Sequence, residues 1–389
     1  MESRTTLLVS AGERSGDTHA ANLVRELLSA CPELRIEGFG GELLQAAGCH
    51  VHEDLVALAS MGLGFRHHLR RYMGVLRKFQ RLLADLRPAA VILVDSPGLN
   101  FALARLARWS GVPVIYYICP QIWAWAPWRR SKVLKYTDLL LVILPFEEDL
   151  YRNPKVPVRF VGHPLADSLA KLPATIGDDL RARLRIPPGD RVVGILPGSR
   201  EHEVRELMPL FREILNRMHL DPHNHRVIVS ALRESFRDPM ERLLWGCQVP
   251  HEVCADDSRS IIAASDMVLV ASGTASLEVA YFEKPMLVLY RAGWLGQAFF
   301  RLFGVTPYIS LPNILGAHLR DGEPLVLERV CHGDEADELA PFARAILEPG
   351  PARERIVEDL RRFKAEVFVP GANARAAEAV LRFLAERAS

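Results

Sequence analysis

Arg191-Val-Val-Gly-Ile-Leu-Pro-Gly-Ser-Arg-Glu201 (RVVGILPGSRE) is the stretch whose reading decides the fold. Val192 to Leu196 form an apolar run without polar alternation, as expected of a parallel strand buried on both faces. Pro197-Gly198 breaks the run, and a helical pattern follows from Glu203 to Met218. The same succession recurs in both directions. Upstream, candidate strands are Thr6–Ser10, Arg35–Gly38, Ala90–Asp95, Pro113–Ile118, Leu139–Leu144 and Val158–Val161. Downstream they are Arg226–Ser230, Met267–Ala271 and Pro285–Tyr290. Helical patterns such as Ala20–Ser29, Phe101–Trp109 and Ser276–Phe282 lie between them. Repeated βα units imply an α/β protein with doubly wound parallel sheets.

The periodicity lapses over Gly162–Pro173 (GHPLADSLAKLP) and a fresh series starts near Arg191. This predicts two Rossmann-like domains of similar size, 1–165 and 166–389, joined by a linker. The chain ends in two helical patterns, Ala352–Phe368 and Asn373–Arg387, parted at Pro370-Gly371. The final helices, about 365–389, could pack back on the N-terminal domain.

Composition narrows the function classes. Of 389 residues, 49% are apolar, enough for sizeable cores. The 48 basic and 47 acidic side chains leave a net charge of +1, which argues against a protein that coats nucleic acid. Cys31, Cys49, Cys119, Cys247, Cys254 and Cys331 are scattered without a C-x-x-C pair. That reads as a reduced, cytoplasmic chain with no disulfide framework or zinc site. The apolar run near the N-terminus is too short for a signal sequence, and the longest, Leu139–Phe146, falls far short of a membrane span. The expectation is a protein that is soluble or at most lies on a membrane.

Three turns could carry chemistry. In Leu196-Pro-Gly-Ser-Arg-Glu, Gly198 allows close backbone approach, the helix N-terminus offers N–H groups to an anion, and Arg200 adds a cationic fork. The plainer alternative is a βα turn whose Ser199 caps the helix. In Ala271-Ser-Gly-Thr-Ala-Ser-Leu-Glu, Ser272, Gly273 and Thr274 could serve a diphosphate and Glu278 a ribose; N-capping is again the alternative. Two such turns in one domain suggest a nucleoside diphosphate at the carboxyl ends of the strands. In the N-terminal half, Ala11-Gly-Glu-Arg-Ser-Gly-Asp places Glu13, Ser15 and Asp17 after the first strand, and Val94-Asp-Ser-Pro-Gly-Leu-Asn places Asp95 on the same rim. Asp95 could act as general base on a sugar hydroxyl, or could cap the helix that Pro97 begins. Asn313, after Pro312, reads first as turn chemistry. The histidines, including His50-x-His52 and His223-x-His225, read mostly as surface residues; no metal is assigned, and His163 reads as structural.

Phe65–Leu83 (FRHHLRRYMGVLRKFQRLL) differs in kind. Phe65, Leu69, Tyr72, Met73, Leu76, Phe79 and Leu83 recur at helical spacing, with Arg66, Arg70, Arg71, Arg77, Lys78 and Arg81 among them and no acid. Such a helix can lie on anionic lipid or can face a core with its basic side in water. The tryptophan-rich stretch Tyr116–Trp128, with Trp123 at its centre, would suit a lipid pocket if exposed and a core if buried.

Taken together, AGERSGD (11–17), VDSPGLN (94–100), CPQIWAW (119–125), LPFE (144–147), VGHPLAD (161–167), LPGSREHEV (196–204), ASGTASLE (271–278), SLPN (310–313) and GANARAAEAVL (371–381) resemble the lipid-A-disaccharide synthase family. The chain departs from that family's pattern at Arg14, Gly98 and the segment after Asn313. The resemblance implies a GT-B glycosyltransferase, two Rossmann-like domains facing a central cleft. The N-terminal one would take the acceptor and lipid, the C-terminal one the UDP-sugar. The implied reaction is inverting transfer of 2,3-diacylglucosamine from its UDP donor to the 6-hydroxyl of 2,3-diacylglucosamine 1-phosphate. It gives the β-1,6 disaccharide 1-phosphate and UDP, without metal or cofactor, in lipid A (lipopolysaccharide) biosynthesis of Gram-negative bacteria.

By the same resemblance Asp95 is the base and Glu13 its acidic neighbour. Arg200, Glu278 and Asn313 belong to the donor site, beside Gly198, Ser199, Ser272, Gly273 and Thr274. Ser15 and Asp17 are expected near the acceptor. Phe65, Leu69, Arg70, Arg71, Tyr72, Met73, Leu76 and Trp123 are expected to face acceptor, lipid or membrane. The partners implied are the UDP-diacylglucosamine donor, the 1-phosphate acceptor, an anionic membrane surface on the inner face of the cytoplasmic membrane, and, compatibly, a second copy of the chain. Other UDP-sugar transferases, UDP-N-acetylglucosamine 2-epimerases and non-catalytic nucleotide-sugar or lipid binders would share the fold; the lipid-facing segment is what separates them.

Overall fold

A computed structural model describes residues 5–60, 65–120, 122–125, 127–198, 200–231, 234–291 and 307–388. The chain divides into two compact units, Met1–Asp167 with Val369–Ser389, and Ser168–Phe368. The C-terminal unit therefore ends at Phe368.

In the first unit, β1 (Thr6–Ala11), β2 (Arg35–Gly40), β3 (His50–Asp54), β4 (Ala90–Val94), β5 (Val114–Tyr117), β6 (Leu139–Val142) and β7 (Val158–Phe160) form one sheet. Its order is β3-β2-β1-β4-β5-β6-β7, and every pairing is parallel. In the second, β8 (Arg191–Leu196), β9 (His225–Ser230), β10 (His251–Cys254), β11 (Met267–Ala271), β12 (Met286–Arg291) and β13 (Leu327–Cys331) follow the order β10-β9-β8-β11-β12-β13, again all parallel. These are doubly wound sheets, and the α/β expectation holds. The central strands show why: all five residues of β4 are fully buried, so water touches neither face.

Strands β3, β10 and β13 were not expected. Each lies at a sheet edge, and their sequences HVHED, HEVC and LERVC carry charged or imidazole groups among the apolar ones. Edge strands lack the continuous apolar run by which buried ones are read.

The basic helix spans Phe65–Leu86. Val75, Phe79 and Leu83, four residues apart, are buried in the unit's main core, while Arg70, Arg71, Met73, Arg77 and Arg81 are exposed. Its apolar stripe is therefore core, and its charged face meets solvent. The side chains of Phe65 and Leu69 lie outside the described residues. Among the described residues, no helix is long and apolar enough to cross a membrane.

The last helix, Ala372–Ala388, is tied into the first unit by Asp167. One carboxylate oxygen accepts from the N–H groups of Gly371 and Ala372; the other accepts from Asn373 N and Nδ2 at 2.9 and 2.6 Å. An anion thus satisfies otherwise unpaired donors at a helix N-terminus. Arg375 Nε donates to Val161 O at 2.9 Å. The motifs VGHPLAD and GANARAAEAVL are two halves of this one joint.

Candidate active site

In a doubly wound sheet the ligand crevice lies beyond the strand carboxyl ends where the strand order reverses. Here the reversals fall between β1 and β4 in the first unit and between β8 and β11 in the second. The turns leaving those four strands carry Glu13, Asp95, Gly198 with Arg200, and Ser272 with Gly273 and Thr274.

In the second unit the β8 and β11 turns share a cavity of about 480 Å³. Pro197, Gly198 and Arg200 line one side and Ser272, Gly273 and Thr274 the other, with Ser230, Asp256 and Ser258 also on the wall. Gly198 has φ +113°, and a Cβ there would lie 2.6 Å from Glu203 Oε2. Both conformation and space demand glycine. Arg200 ends the turn ahead of the helix Glu201–Arg217. Its Nη1 donates to Glu203 Oε1 at 2.8 Å and its backbone N to Glu203 Oε2 at 3.2 Å. The fork is exposed, and among the described residues an arriving diphosphate competes with the Glu203 carboxylate for it. Ser199 lies outside the described residues.

Glu278 stands back from this cavity. It receives Arg259 Nε at 3.0 Å, and burial raises its pKa while the Arg259 charge restrains the rise. Asn313 requires a correction. It is 0% exposed; Nδ2 donates to Val326 O and Glu328 Oε2, and Oδ1 accepts from Val326 N, all at 2.9 Å. Its amide is spent on scaffolding, so in this state it offers nothing to a ligand. Glu328, which the sequence did not single out, organises the same loop by accepting from Ile309 N, Ser310 N and Ser310 Oγ.

In the first unit Asp95 and Ser96 are both left-handed, with φ +48° and +45°. Successive non-glycine residues in that region are strained, and strain persists only where the surroundings fix it. Asp95 O accepts from Asn100 Nδ2 at 2.7 Å and Tyr116 OH at 2.8 Å, and Asp95 N donates to Tyr117 O at 3.1 Å. Ser10 Oγ donates to Asn100 Oδ1 at 3.0 Å, tying this turn to β1. Asn100 was legible only as the last letter of VDSPGLN.

Helix capping does not account for this turn. Ser96 sits at the N-cap without a side-chain cap bond, and its buried hydroxyl has no hydrogen-bond partner among the described residues. Burial raises the Asp95 pKa, the Ser96 backbone N–H draws it down, and the Glu13 charge pushes it up again. Glu13 is exposed at the N-cap of the helix Arg14–Ala30, also without a side-chain cap bond. Ser15 is exposed on that helix's first turn.

Two further expectations are corrected. Asp17 is 3% exposed and accepts from Gly41 N at 2.7 Å and Leu43 N at 3.1 Å, so both carboxylate oxygens are engaged in capping the helix Glu42–Ala46. Trp123 is 6% exposed; its indole N–H donates to the fully buried Glu147 at 3.1 Å, and it packs edge-on against Phe146. It is core, not a lipid-facing ring. Glu147 also accepts from Ile143 N and Leu144 N, and burial pushes its pKa up to about 7 against those bonds. The CPQIWAW and LPFE motifs are thus one structural knot. On the basic helix, Leu76 is half-buried against the core, Met73 is exposed, and half-buried Tyr72 reaches Gly98 O at 3.5 Å. Arg71, Arg77, Lys78 and Arg81 line a basic concavity of about 580 Å³ with Glu53.

Comparison with known proteins separates fold from family. Solved structures share the fold at low identity. A Staphylococcus aureus MnaA–UDP complex is 13% identical, with a TM-score of 0.64 over 98% of this chain and 97% of that one. The calicheamicin glycosyltransferase CalG4 is 17% identical, with a TM-score of 0.58 over 99% of each chain. MurG of Acinetobacter baumannii is 12% identical, with a TM-score of 0.60 over 97% and 99%. Such likeness shows the GT-B architecture and no particular activity. Sequence relatives decide more. Lipid-A-disaccharide synthase of Anaeromyxobacter dehalogenans strain 2CP-C is 34% identical over 96% of both chains. That of Pseudomonas paraeruginosa strain PA7 is 33% identical over 100% of both. The family model described as lipid-A-disaccharide synthetase matches residues 7–329. This chain belongs to the lipid-A-disaccharide synthase family and is a glycosyltransferase of lipid A biosynthesis.

Proposed function

We propose that the chain transfers 2,3-diacylglucosamine from its UDP donor to the 6-hydroxyl of 2,3-diacylglucosamine 1-phosphate, with Asp95 as general base. The observation that carries this reading is the placement of an acid pair, Glu13 and Asp95, at one strand-order reversal and of an anion-suited cavity at the other. Asp95 takes the hydroxyl proton as the acceptor oxygen bonds to the anomeric carbon. The bond from that carbon to the diphosphate oxygen breaks on the opposite face, and UDP leaves with its electron pair. Arg200 and the N–H groups at the start of the helix Glu201–Arg217 stabilise the departing charge. The stereochemistry is testable by proton NMR of the product as it forms. A β-linked disaccharide from the α-linked donor is expected; an α linkage would contradict direct displacement.

Glu13 acts on this base through its charge. A raised pKa makes Asp95 a stronger proton acceptor than an ordinary aspartate. In Glu13→Gln the neighbouring negative charge is gone, so the Asp95 pKa falls and the acid limb of the kcat/KM profile moves to lower pH. A limb that stays or moves upward would remove Glu13 from this role.

The exposed basic face of the helix Phe65–Leu86 supports peripheral binding to anionic lipid at the inner face of the cytoplasmic membrane. Each basic residue near such a surface contributes about 1 kcal/mol, so reversing two should weaken vesicle binding at least ~10-fold. Arg70→Glu with Arg71→Glu is expected to lose co-sedimentation with phosphatidylglycerol vesicles. Unchanged sedimentation would assign that face to solvent alone.

A further inference from the structure

One cluster lies apart from both turns. On β2 and its edge neighbour β3, Glu37 pairs in register with His50, and a register shift between Gly38 and Phe39 leaves His52 as the extra residue, whose ring still turns to Glu37. His50 Nδ1 and His52 Nε2 both meet a single oxygen, Glu37 Oε2, at 2.8 and 2.7 Å. These three atoms lie within 4.8 Å of one another. The other oxygen, Oε1, is held by Arg35 Nε at 2.6 Å.

We propose that Glu37, His50 and His52 bind one divalent transition-metal ion of the zinc type, clipping β3 to β2. Two imidazoles and a carboxylate are a common three-ligand set for zinc, with water completing a tetrahedron. Bond lengths of about 2.0–2.2 Å place the ligand atoms of such a site roughly 3.3–3.5 Å apart. The carboxylate–imidazole spacings of 2.8 and 2.7 Å need a small opening as the metal replaces the hydrogen-bonding protons, and the two imidazole nitrogens already lie within 4.8 Å of each other. Arg35 fixes the carboxylate from behind, as outer-shell partners of metal ligands do. Glu37 itself is 2% exposed, whereas His50 is 70% exposed and gives the ion a route in. Lys78 is a further cation beside β3. It is occupied by Glu53 at 2.9 Å and by His52 O, so its charge is already partly balanced.

This inference is independent of the transfer reaction. Chelator-treated full-length protein would be titrated with Co²⁺, reading its visible ligand-field bands, and then with Zn²⁺ against a chelating dye. One site per chain is expected, with tetrahedral cobalt bands and no thiolate charge-transfer band. His50→Ala removes an exposed side chain without touching the core, and His52→Ala is its companion. Each should weaken zinc binding by at least ~10–100-fold, since even outer-shell losses do as much. Zinc should raise the melting temperature of the parent chain but not of His50→Ala. Equal zinc affinity and stoichiometry in the parent and both variants, or no cobalt bands in the parent, would overturn the assignment.

Discussion

Asp95→Asn is expected to lower turnover by about 10²–10⁴-fold, the usual contribution of a positioned base. UDP affinity should stay at the parental value, because the donor turns belong to the second unit. Asparagine is the right replacement here. It is nearly isosteric and tolerates left-handed backbone, whereas alanine at φ +48° would add about 1–2 kcal/mol of strain and mix folding with chemistry. The backbone bonds from Asn100 and Tyr116 reach the Asp95 carbonyl, not its carboxylate, so the turn keeps its shape in the variant. Calorimetry with UDP and initial rates with both substrates would check the pair of expectations. Near-parental turnover would take the base role from Asp95.

Arg200→Ala is expected to weaken UDP binding by roughly 10–100-fold, corresponding to about 1.5–3 kcal/mol for hydrogen bonds to a charged group. The side chain is exposed and it pairs with Glu203, three residues on, so its removal costs the fold little. Arg200→Lys should recover part of the loss, since charge survives while the planar fork does not. Calorimetry again reads the result. Parental affinity in Arg200→Ala would leave the cavity between the β8 and β11 turns without its main cation for the diphosphate.

The sheets were legible because their inner strands are buried on both faces, so β4, β8 and β11 appear in the sequence as runs of aliphatic residues. The edge strands β3, β10 and β13 gave no such sign: in HVHED only the pairing with β2 makes a strand of five largely polar residues. Site reading failed in one consistent way. Asp17 and Asn313 are polar groups near strand ends, as ligand-binding residues are, yet each is committed to backbone groups distant in sequence. Such commitments depend on which segments meet in space, which spacing along the chain does not encode. For the same reason Asn100 and Glu328 escaped notice, although one fixes the Asp95 turn and the other the loop around Asn313. Trp123 misled because an aromatic with a polar edge suits a lipid boundary or a buried carboxylate equally well, and Glu147 supplied the second.

The most direct test of the account is mass spectrometry of a reaction holding purified protein, UDP-2,3-diacylglucosamine and 2,3-diacylglucosamine 1-phosphate. Disaccharide 1-phosphate and UDP are expected in equal amounts, with no consumption of donor when the acceptor is withheld. Donor that is epimerised or hydrolysed while no disaccharide forms would contradict it.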